Sequence, residues 1–254
     1  MTRFRCPGVD AAIARWAPSR SPLLAVRRIW QEIRNYRSLK RDFKAMCEQY
    51  SRCASLEEQV GLIRAHKVFR AVQQHSEIVS LLRLLDKNPP RSVCEIGTAS
   101  GGTLFLLTKV CRPDALLISV DLGLPLERSL IHSRFATSKQ RVIGVRRDSR
   151  AAETIQQVRS SLRGKLLDLL FIDGDHEYEA VKADFTNYRP LVRPGGLIVF
   201  HDIVRDFRTR YGKPTSTYTG GVPMFWEEIK GLHRTTELIE DPEQDGFGIG
   251  IVHT

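Results

Sequence analysis

From Arg91 onward, short apolar runs alternate with segments of helical spacing, and few folds accommodate that alternation. The apolar runs are SVCEI (92–96), LLISVD (116–121), RVIGV (141–145), LLDLLFID (166–173) and GLIVFHD (196–202). Helical patterns lie between them, at about 101–111, 126–136, 150–162 and 177–192. Strands spaced by helices in this way make βαβ units and a mostly parallel sheet. The end of the chain differs. A helical pattern near 223–231 precedes TELIE (236–240) and GFGIGIVH (246–253), which about five residues join. Parallel neighbours need a longer crossover, so this pair is expected to form an antiparallel hairpin. The expected architecture is a doubly wound α/β sheet of seven strands, with that hairpin at its C-terminal end and helices before it.

The first third of the chain has another texture. Residues 1–22 contain Pro7, Pro18 and Pro22 and read as irregular. From Leu23 to Tyr50, the apolar residues Val26, Ile29, Ile33, Tyr36, Phe43, Met46 and Tyr50 recur at helical intervals, with Arg and Lys between them. A second helical region runs from about Leu56 to Leu85, with Val60, Ile63, Val68, Val72, Ile78 and Leu82 as core candidates. Asn88-Pro89-Pro90 ends it. The formal charge of +10 resides here. Residues 1–92 hold 18 Lys/Arg against 8 Asp/Glu, whereas residues 93–254 hold 21 of each. Basicity therefore says nothing about the strand–helix region.

No apolar run reaches the roughly 18 residues needed to span a bilayer, and the first residues lack the apolar stretch of a secretory signal. Their Arg-rich, acid-poor composition is also that of an organelle transit peptide. The five cysteines (Cys6, Cys47, Cys53, Cys94 and Cys111) form no C-x-x-C pair. Cys94 and Cys111 fall in apolar segments and read as buried thiols. A reducing cytoplasm is the expected compartment.

Three places carry chemistry. The first is VCEIGTASGGTLFLL (93–107): a strand, a glycine turn and a helix start. Gly97 permits the turn, and Gly101 and Gly102 let another group approach the backbone. The order G-x-x-x-G-G is neither the dinucleotide fingerprint nor a P-loop, and Glu95 at the strand end would repel phosphate. The turn either receives a ligand or simply connects strand to helix. Asp121 comes second, ending LLISVD 24 residues after Gly97. A carboxylate there accepts both hydroxyls of a ribose in doubly wound folds; it could equally cap a helix. Asp148, in RRDSR, could likewise cap a helix or meet an adenine edge. The third place is Asp173-Gly174-Asp175-His176 with His201-Asp202, at the carboxyl ends of two strands expected to be neighbours. Ligands of open α/β sheets bind at that edge. Asp173, His201 and Asp202 could chelate Mg²⁺ or Mn²⁺, the imidazole favouring the latter, unless these groups only cap helices and strand ends. Adjacent strand residues face opposite ways, so His201 and Asp202 can both serve only if the strand has ended.

Read in order, VCEIGTASGG, LLISVD, RRDSR, LLFIDGDHEYEAVKADF and LVRPGGLIVFHD resemble a class I S-adenosylmethionine-dependent methyltransferase with its Rossmann-like sheet. The similarity is strongest to the metal-dependent O-methyltransferase branch, in the cephalosporin-hydroxylase-like group, and QQHSEI (73–78) and GFGIGIV (246–252) resemble that group too. It covers about residues 68–254 and leaves residues 1–67 as a basic N-terminal helical extension. The resemblance implies that Glu95, Gly97 and Gly101 line the methyl donor, that Asp121 holds its ribose, and that Asp148 and Ser149 lie near its adenine. Asp173, His201 and Asp202 match metal-ligand positions, and His176 a general base. His201 departs from the all-oxygen form of the site. The implied reaction is methyl transfer from S-adenosylmethionine to a hydroxyl of a small molecule or sugar, assisted by a divalent metal.

Three other readings compete, and one, a catalytically inactive module whose basic helices bind a partner or an anionic membrane, is opposed by the joint presence of Asp121, Asp173, His176 and Asp202. A nucleic-acid methyltransferase would use the basic N-terminal helices, but the matched region is neutral and no N-P-P-Y-like motif follows residues 166–173. An oxidoreductase-like member of the group would need a nicotinamide fingerprint that G-x-x-x-G-G does not supply. The N-terminal helices read first as a solvated face on the domain, and next as a contact for a homo-oligomer or a lid. GKPTSTYTGGVP (212–223) is expected to form a mobile loop within 15 Å of Asp202.

Overall fold

A computed structural model describes residues 22–137 and 139–254; of the stretch 1–22 expected to be irregular, residues 1–21, with Cys6, lie outside them, and Pro22 is the first residue of a helix, a position that a missing N–H suits. Helix α1 (Pro22–Tyr50) is followed by α2 (Leu56–Ala65) and α3 (His75–Lys87). The alternation then runs β1 (Ser92–Ile96), α4 (Gly102–Val110), β2 (Leu116–Val120), α5 (Leu126–His132), β3 (Arg141–Val145), α6 (Ala152–Leu162), β4 (Leu167–Ile172), α7 (Tyr178–Tyr188) and β5 (Val192–His201). Short α8 (Phe207–Tyr211), α9 (Val222–Lys230), β6 (Arg234–Leu238) and β7 (Ile249–His253) close the chain.

The seven strands lie in the order β3-β2-β1-β4-β5-β7-β6. β1 to β5 are mutually parallel, and β7 is antiparallel to both β5 and β6. The expected sheet and its terminal hairpin are therefore present. The hairpin's connection is longer than five residues, because β6 ends at Leu238 and β7 starts at Ile249. Strand order reverses between β1 and β4, and a crevice opens there at the carboxyl edge.

Both faces of the sheet are covered, which is why the central strands read as continuous apolar runs. Side chains alternate between two cores, as a two-residue period requires. Val93, Leu117, Leu169, Phe171 and Val199 face α1 to α4. Cys94, Ile118, Leu170, Ile172 and Phe200 face α6, α7 and α9. Met46 of α1 and Val60 and Ile63 of α2 belong to the first core, where Phe43, Phe69, Phe105 and Phe135 pack edge to face or tilted. The N-terminal helices are thus built onto the sheet.

The helical region expected over 56–85 is two helices. His66 Nδ1 accepts hydrogen bonds from the backbone N–H of Val68 and Phe69, at 3.2 and 3.0 Å, and turns the chain out of α2. The intervening segment crosses the start of α4 so closely that a Cβ on Gly102 would lie 2.2 Å from the Ala71 nitrogen. Val72, expected in the core, is consequently 50% exposed, and Val68 is only half-buried. The other core candidates of that region, Val60, Ile63, Ile78 and Leu82, are buried.

Candidate functional site

The carboxyl edge is assembled by backbone bonds between neighbouring strands. Gly97 N–H donates to the Val120 carbonyl (2.9 Å), Asp121 N–H to Val145 (3.0 Å) and Asp173 N–H to Ile96 (2.9 Å). The ends of β1, β2 and β4 are thereby held side by side, and Glu95, Asp121 and Asp173 come to one edge. The glycines have packing reasons of their own. Gly97 is left-handed (φ 86°), and a Cβ there would lie 1.9 Å from the Asp173 carbonyl oxygen. A Cβ on Gly101 would meet His132 Nε2 at 2.4 Å.

Glu95 is 1% exposed, and its Oε2 has no hydrogen-bond partner among the described residues. Burial, with the charges of Asp173 and Asp121, raises its pKa to about 8 against the pull of Thr98. Asp121 is half-buried and accepts from Ala99 N–H (2.7 Å) and Gly123 N–H (2.8 Å), so it pins the glycine turn to its own loop. Asp148 binds Arg150, through its backbone N–H at 2.9 Å and its Nε at 3.1 Å. Burial opposes ionisation, yet Arg150 holds this carboxyl below the usual range. The Ser149 carbonyl accepts from the Tyr188 hydroxyl at 2.9 Å.

The ends of β4 and β5 bring together the second group. β5 stops at His201, and Asp202 turns out of it with φ 62°. This left-handed residue meets the condition the sequence set: the strand has ended, and both side chains turn to one side. His201 Nδ1 lies 3.1 Å from Asp173 Oδ1 and 3.2 Å from Asp202 Oδ2. One donor atom from each of the three falls within 4.8 Å of the others. Ligands bonded at about 2.1 Å around a small divalent ion have neighbours at this spacing. Burial opposes a charge on His201, but Asp173 and Asp202 raise its pKa well above the ordinary value. Buried Asp202 and half-buried Asp173, on either side of one imidazole, thus fit a cation.

His176 completes the cluster. Its Nε2 is 3.7 Å from Asp173 Oδ1, and its Nδ1 is 3.6 Å from Asp202 Oδ2. The same Nδ1 lies 2.6 Å from the Tyr218 carbonyl, which can only accept, so Nδ1 carries a proton and Nε2 is the atom that exchanges one. Burial lowers its pKa, but Asp173 and Asp202 outweigh that and bring it to about 9. Tyr218 belongs to the loop expected beside the site, and its contact with His176 places that loop next to Asp202. The loop is held by Thr215 to Asp245 (2.8 Å) and Thr219 N–H to Asp206 (3.3 Å).

The sequence reading missed Gln73. It is 1% exposed, its Nε2 donates to Asp173 Oδ2 at 2.8 Å, and its Oε1 accepts from the Thr103 hydroxyl at 2.7 Å. Gln73 fixes the rotation of Asp173, leaving Oδ1 for His201. Within QQHSEI it looks like any polar residue before a helix; only the crossing over Gly102 brings it inward.

The buried Glu95 has a consequence for stability. Its folded pKa lies above the ordinary carboxylate value, so the folded state holds the proton more tightly than the unfolded chain. Stability must then decline as pH rises from the ordinary value through about 8. Urea unfolding of wild type and Glu95→Gln at about pH 5 and about pH 8 checks this. The wild type is expected to lose more stability over that interval, and equal losses would remove Glu95 as the cause.

A family model described as a methyltransferase domain matches residues 94–203. An uncharacterized protein of Acanthamoeba polyphaga mimivirus, R132, is 32% identical over 153 residues, covering 58% of this chain and 66% of its own length. An uncharacterized protein of Sinorhizobium fredii, y4gI, is 27% identical over 169 residues, covering 63% of this chain. The match takes in only 17% of that relative's length. Among solved structures, an O-methyltransferase from Bacillus cereus in complex with S-adenosylhomocysteine superposes with TM-score 0.56 at 18% identity, covering 83% of this chain and 97% of that one. The O-methyltransferase TomG from Streptomyces achromogenes, in complex with S-adenosylmethionine, gives 0.53 at 20% identity, covering 83% and 96%. The matched model runs from within β1 to just past the end of β5 and takes in the glycine turn, Asp121 and the Asp173–His201–Asp202 cluster; over these residues the chain is similar to a methyltransferase domain, and its fold is the Rossmann-like, seven-stranded fold of the superposing O-methyltransferases.

Proposed function

We propose that the chain transfers a methyl group from S-adenosylmethionine to a hydroxyl of a small molecule or sugar, with His176 as general base and a divalent cation held by Asp173, His201 and Asp202. The observation that carries the reading is the convergence of these four side chains at the carboxyl edge, beside the Gly97 turn. The two superposing O-methyltransferases, crystallised with S-adenosylhomocysteine and S-adenosylmethionine, support the donor and the oxygen acceptor.

The residues fit the donor. Asp121 spends one lone pair of each carboxylate oxygen on the turn and retains others for ribose hydroxyls. The unpartnered Glu95 Oε2 is a buried acceptor in want of a donor. Asp148 and Ser149 lie in the loop that follows β3, where the adenine would lie. The sulfonium methyl is already electrophilic, so alignment is the protein's main task. A cation in the cluster would lower the pKa of an acceptor hydroxyl, and one imidazole among the donors suits Mn²⁺ at least as well as Mg²⁺. His176 must be neutral to accept the acceptor's proton at Nε2. Offsetting the two carboxylates would release it from the charges that raise its pKa.

Calorimetric titration with S-adenosylmethionine tests the donor. Wild type is expected to bind, and Asp121→Ala to bind about 10- to 100-fold more weakly, the loss of hydrogen bonds to a charged group. No binding by wild type removes the proposal; unchanged affinity of the variant removes Asp121 from it.

A further inference from the structure

We infer that the outward face of α1, with the adjoining edge of α5, is a docking surface for an anionic lipid membrane. α1 is 29 residues long, and only part of its circumference is used by the fold. Tyr36, Leu39, Phe43, Met46 and Tyr50 turn inward to the core. Ile29, Trp30 and Ile33 lie one to two turns before Tyr36, Ile29 and Ile33 prolonging its stripe past the core and Trp30 on the stripe's outer flank. They are 55%, 58% and 37% exposed. Beside that stripe, the outward side of α1 carries cations: Arg34, Arg37, Lys40, Arg41 and Lys44 are all exposed, as is Arg27 near the start of the helix. The acids of α1 are fewer. Glu32 and Asp42 are half-buried, and Glu48 sits near the C-terminal end.

The apolar part extends onto the next helix. Asn35 donates to Glu127 of α5 at 3.2 Å, and Arg134 donates to the Tyr36 hydroxyl at 3.2 Å, so α1 runs along α5. Leu126 and Leu130, one turn apart on α5, are 44% and 48% exposed, and Leu122 just before it is 48% exposed. Six of the twelve exposed large apolar side chains among the described residues thus belong to α1, α5 and the loop just before α5. Singly exposed apolar residues need no explanation, but a concentration of them does.

Charge selects the occupant. Two copies meeting through α1 would bring like-charged rows together, which disfavours a self-complementary contact. Nucleic acid would use the cations but leave Ile29, Trp30 and Ile33 in water or against phosphate. A helix with a cationic stretch and exposed Trp and Ile matches an interface of lipid headgroups over acyl chains. No helix among the described residues is long and apolar enough to cross a membrane, so the contact is peripheral. Exposed Leu122 directly follows Asp121, so docking would bring the site's edge near the lipid. The inference does not depend on the proposed reaction.

The test is co-sedimentation of the full chain with vesicles of phosphatidylcholine and phosphatidylserine, and with vesicles of phosphatidylcholine alone. Binding is expected to the anionic vesicles, to fall with added salt, and to be at least about tenfold weaker on the neutral ones. Trp30→Glu/Ile33→Glu and, separately, Arg37→Glu/Lys40→Glu/Lys44→Glu should each weaken it by at least about tenfold. All five side chains are exposed, and thermal unfolding confirms that each variant folds. Absence of vesicle binding, equal binding to both lipids, or variants that bind like wild type each overturn the inference. So does a homodimer that Trp30→Glu/Ile33→Glu dissolves without vesicle binding by wild type, or salt-sensitive RNA binding in its place.

Discussion

Gly97→Ala is expected to cost about 4 kcal/mol of folding stability and to lower the melting temperature by roughly 10 °C or more. Two penalties add. An L-residue in the left-handed region costs about 1–2 kcal/mol, and Gly97 has φ 86°. The new methyl would also stand 1.9 Å from the Asp173 carbonyl oxygen. Neither partner can withdraw. Gly97 N–H is bonded to Val120 and Asp173 N–H to Ile96, so a shift at either residue breaks sheet bonds on both sides of β1. Gly164→Ala separates the two penalties. Gly164 is also left-handed (φ 79°), but nothing lies within 4 Å of the place a Cβ would take there. It should lose only about 1 kcal/mol. Urea unfolding of both variants decides the matter: equal losses would mean that the close pass at Gly97 is tolerated and that backbone conformation alone keeps the glycine.

What the sequence made legible follows from the range of the forces involved. The strands and the helices between them are set by local apolar periodicity, so β1 to β5 were readable to within a few residues. β5 was the exception at its start: Val192 pairs with Leu167 and the register resumes only at Leu197 opposite Leu169, so the Pro- and Gly-bearing residues between them form an irregularity that apolar periodicity does not show. The break between α2 and α3 was not readable, because His66 capping a backbone turn and a chain crossing over Gly102 are contacts of the folded state. Gln73 was hidden for the same reason. The meeting of Asp173, His201 and Asp202 was readable as a consequence of topology, since β4 and β5 end at the same edge. Whether His201 and Asp202 could act together was not, because it turns on a single φ angle.

Asp202→Asn is expected to reduce methyl transfer about a thousandfold while leaving the fold intact and S-adenosylmethionine affinity within a few-fold of wild type. Asparagine is the informative substitution. Asp202 sits at φ 62°, where Asn is among the few side chains at ease, so the variant keeps the backbone and removes a charge. Alanine there would add strain and confuse a lost ligand with a lost conformation. The charge matters because Asp202 and Asp173 flank His201 at 3.2 and 3.1 Å. With one carboxylate gone, the remaining donor set offers a single negative charge to a divalent ion, and affinity for Mn²⁺ should fall with the rate. Titration of wild type and variant with Mn²⁺ in the absence of substrate therefore accompanies the rate measurement. Loss of both binds the cation to the reaction through Asp202. Full Mn²⁺ affinity with lost activity would instead place Asp202 in holding His176, whose Nδ1 it approaches at 3.6 Å. An active variant would remove Asp202 from the chemistry and leave its left-handed turn as the means by which β5 delivers His201 to the edge.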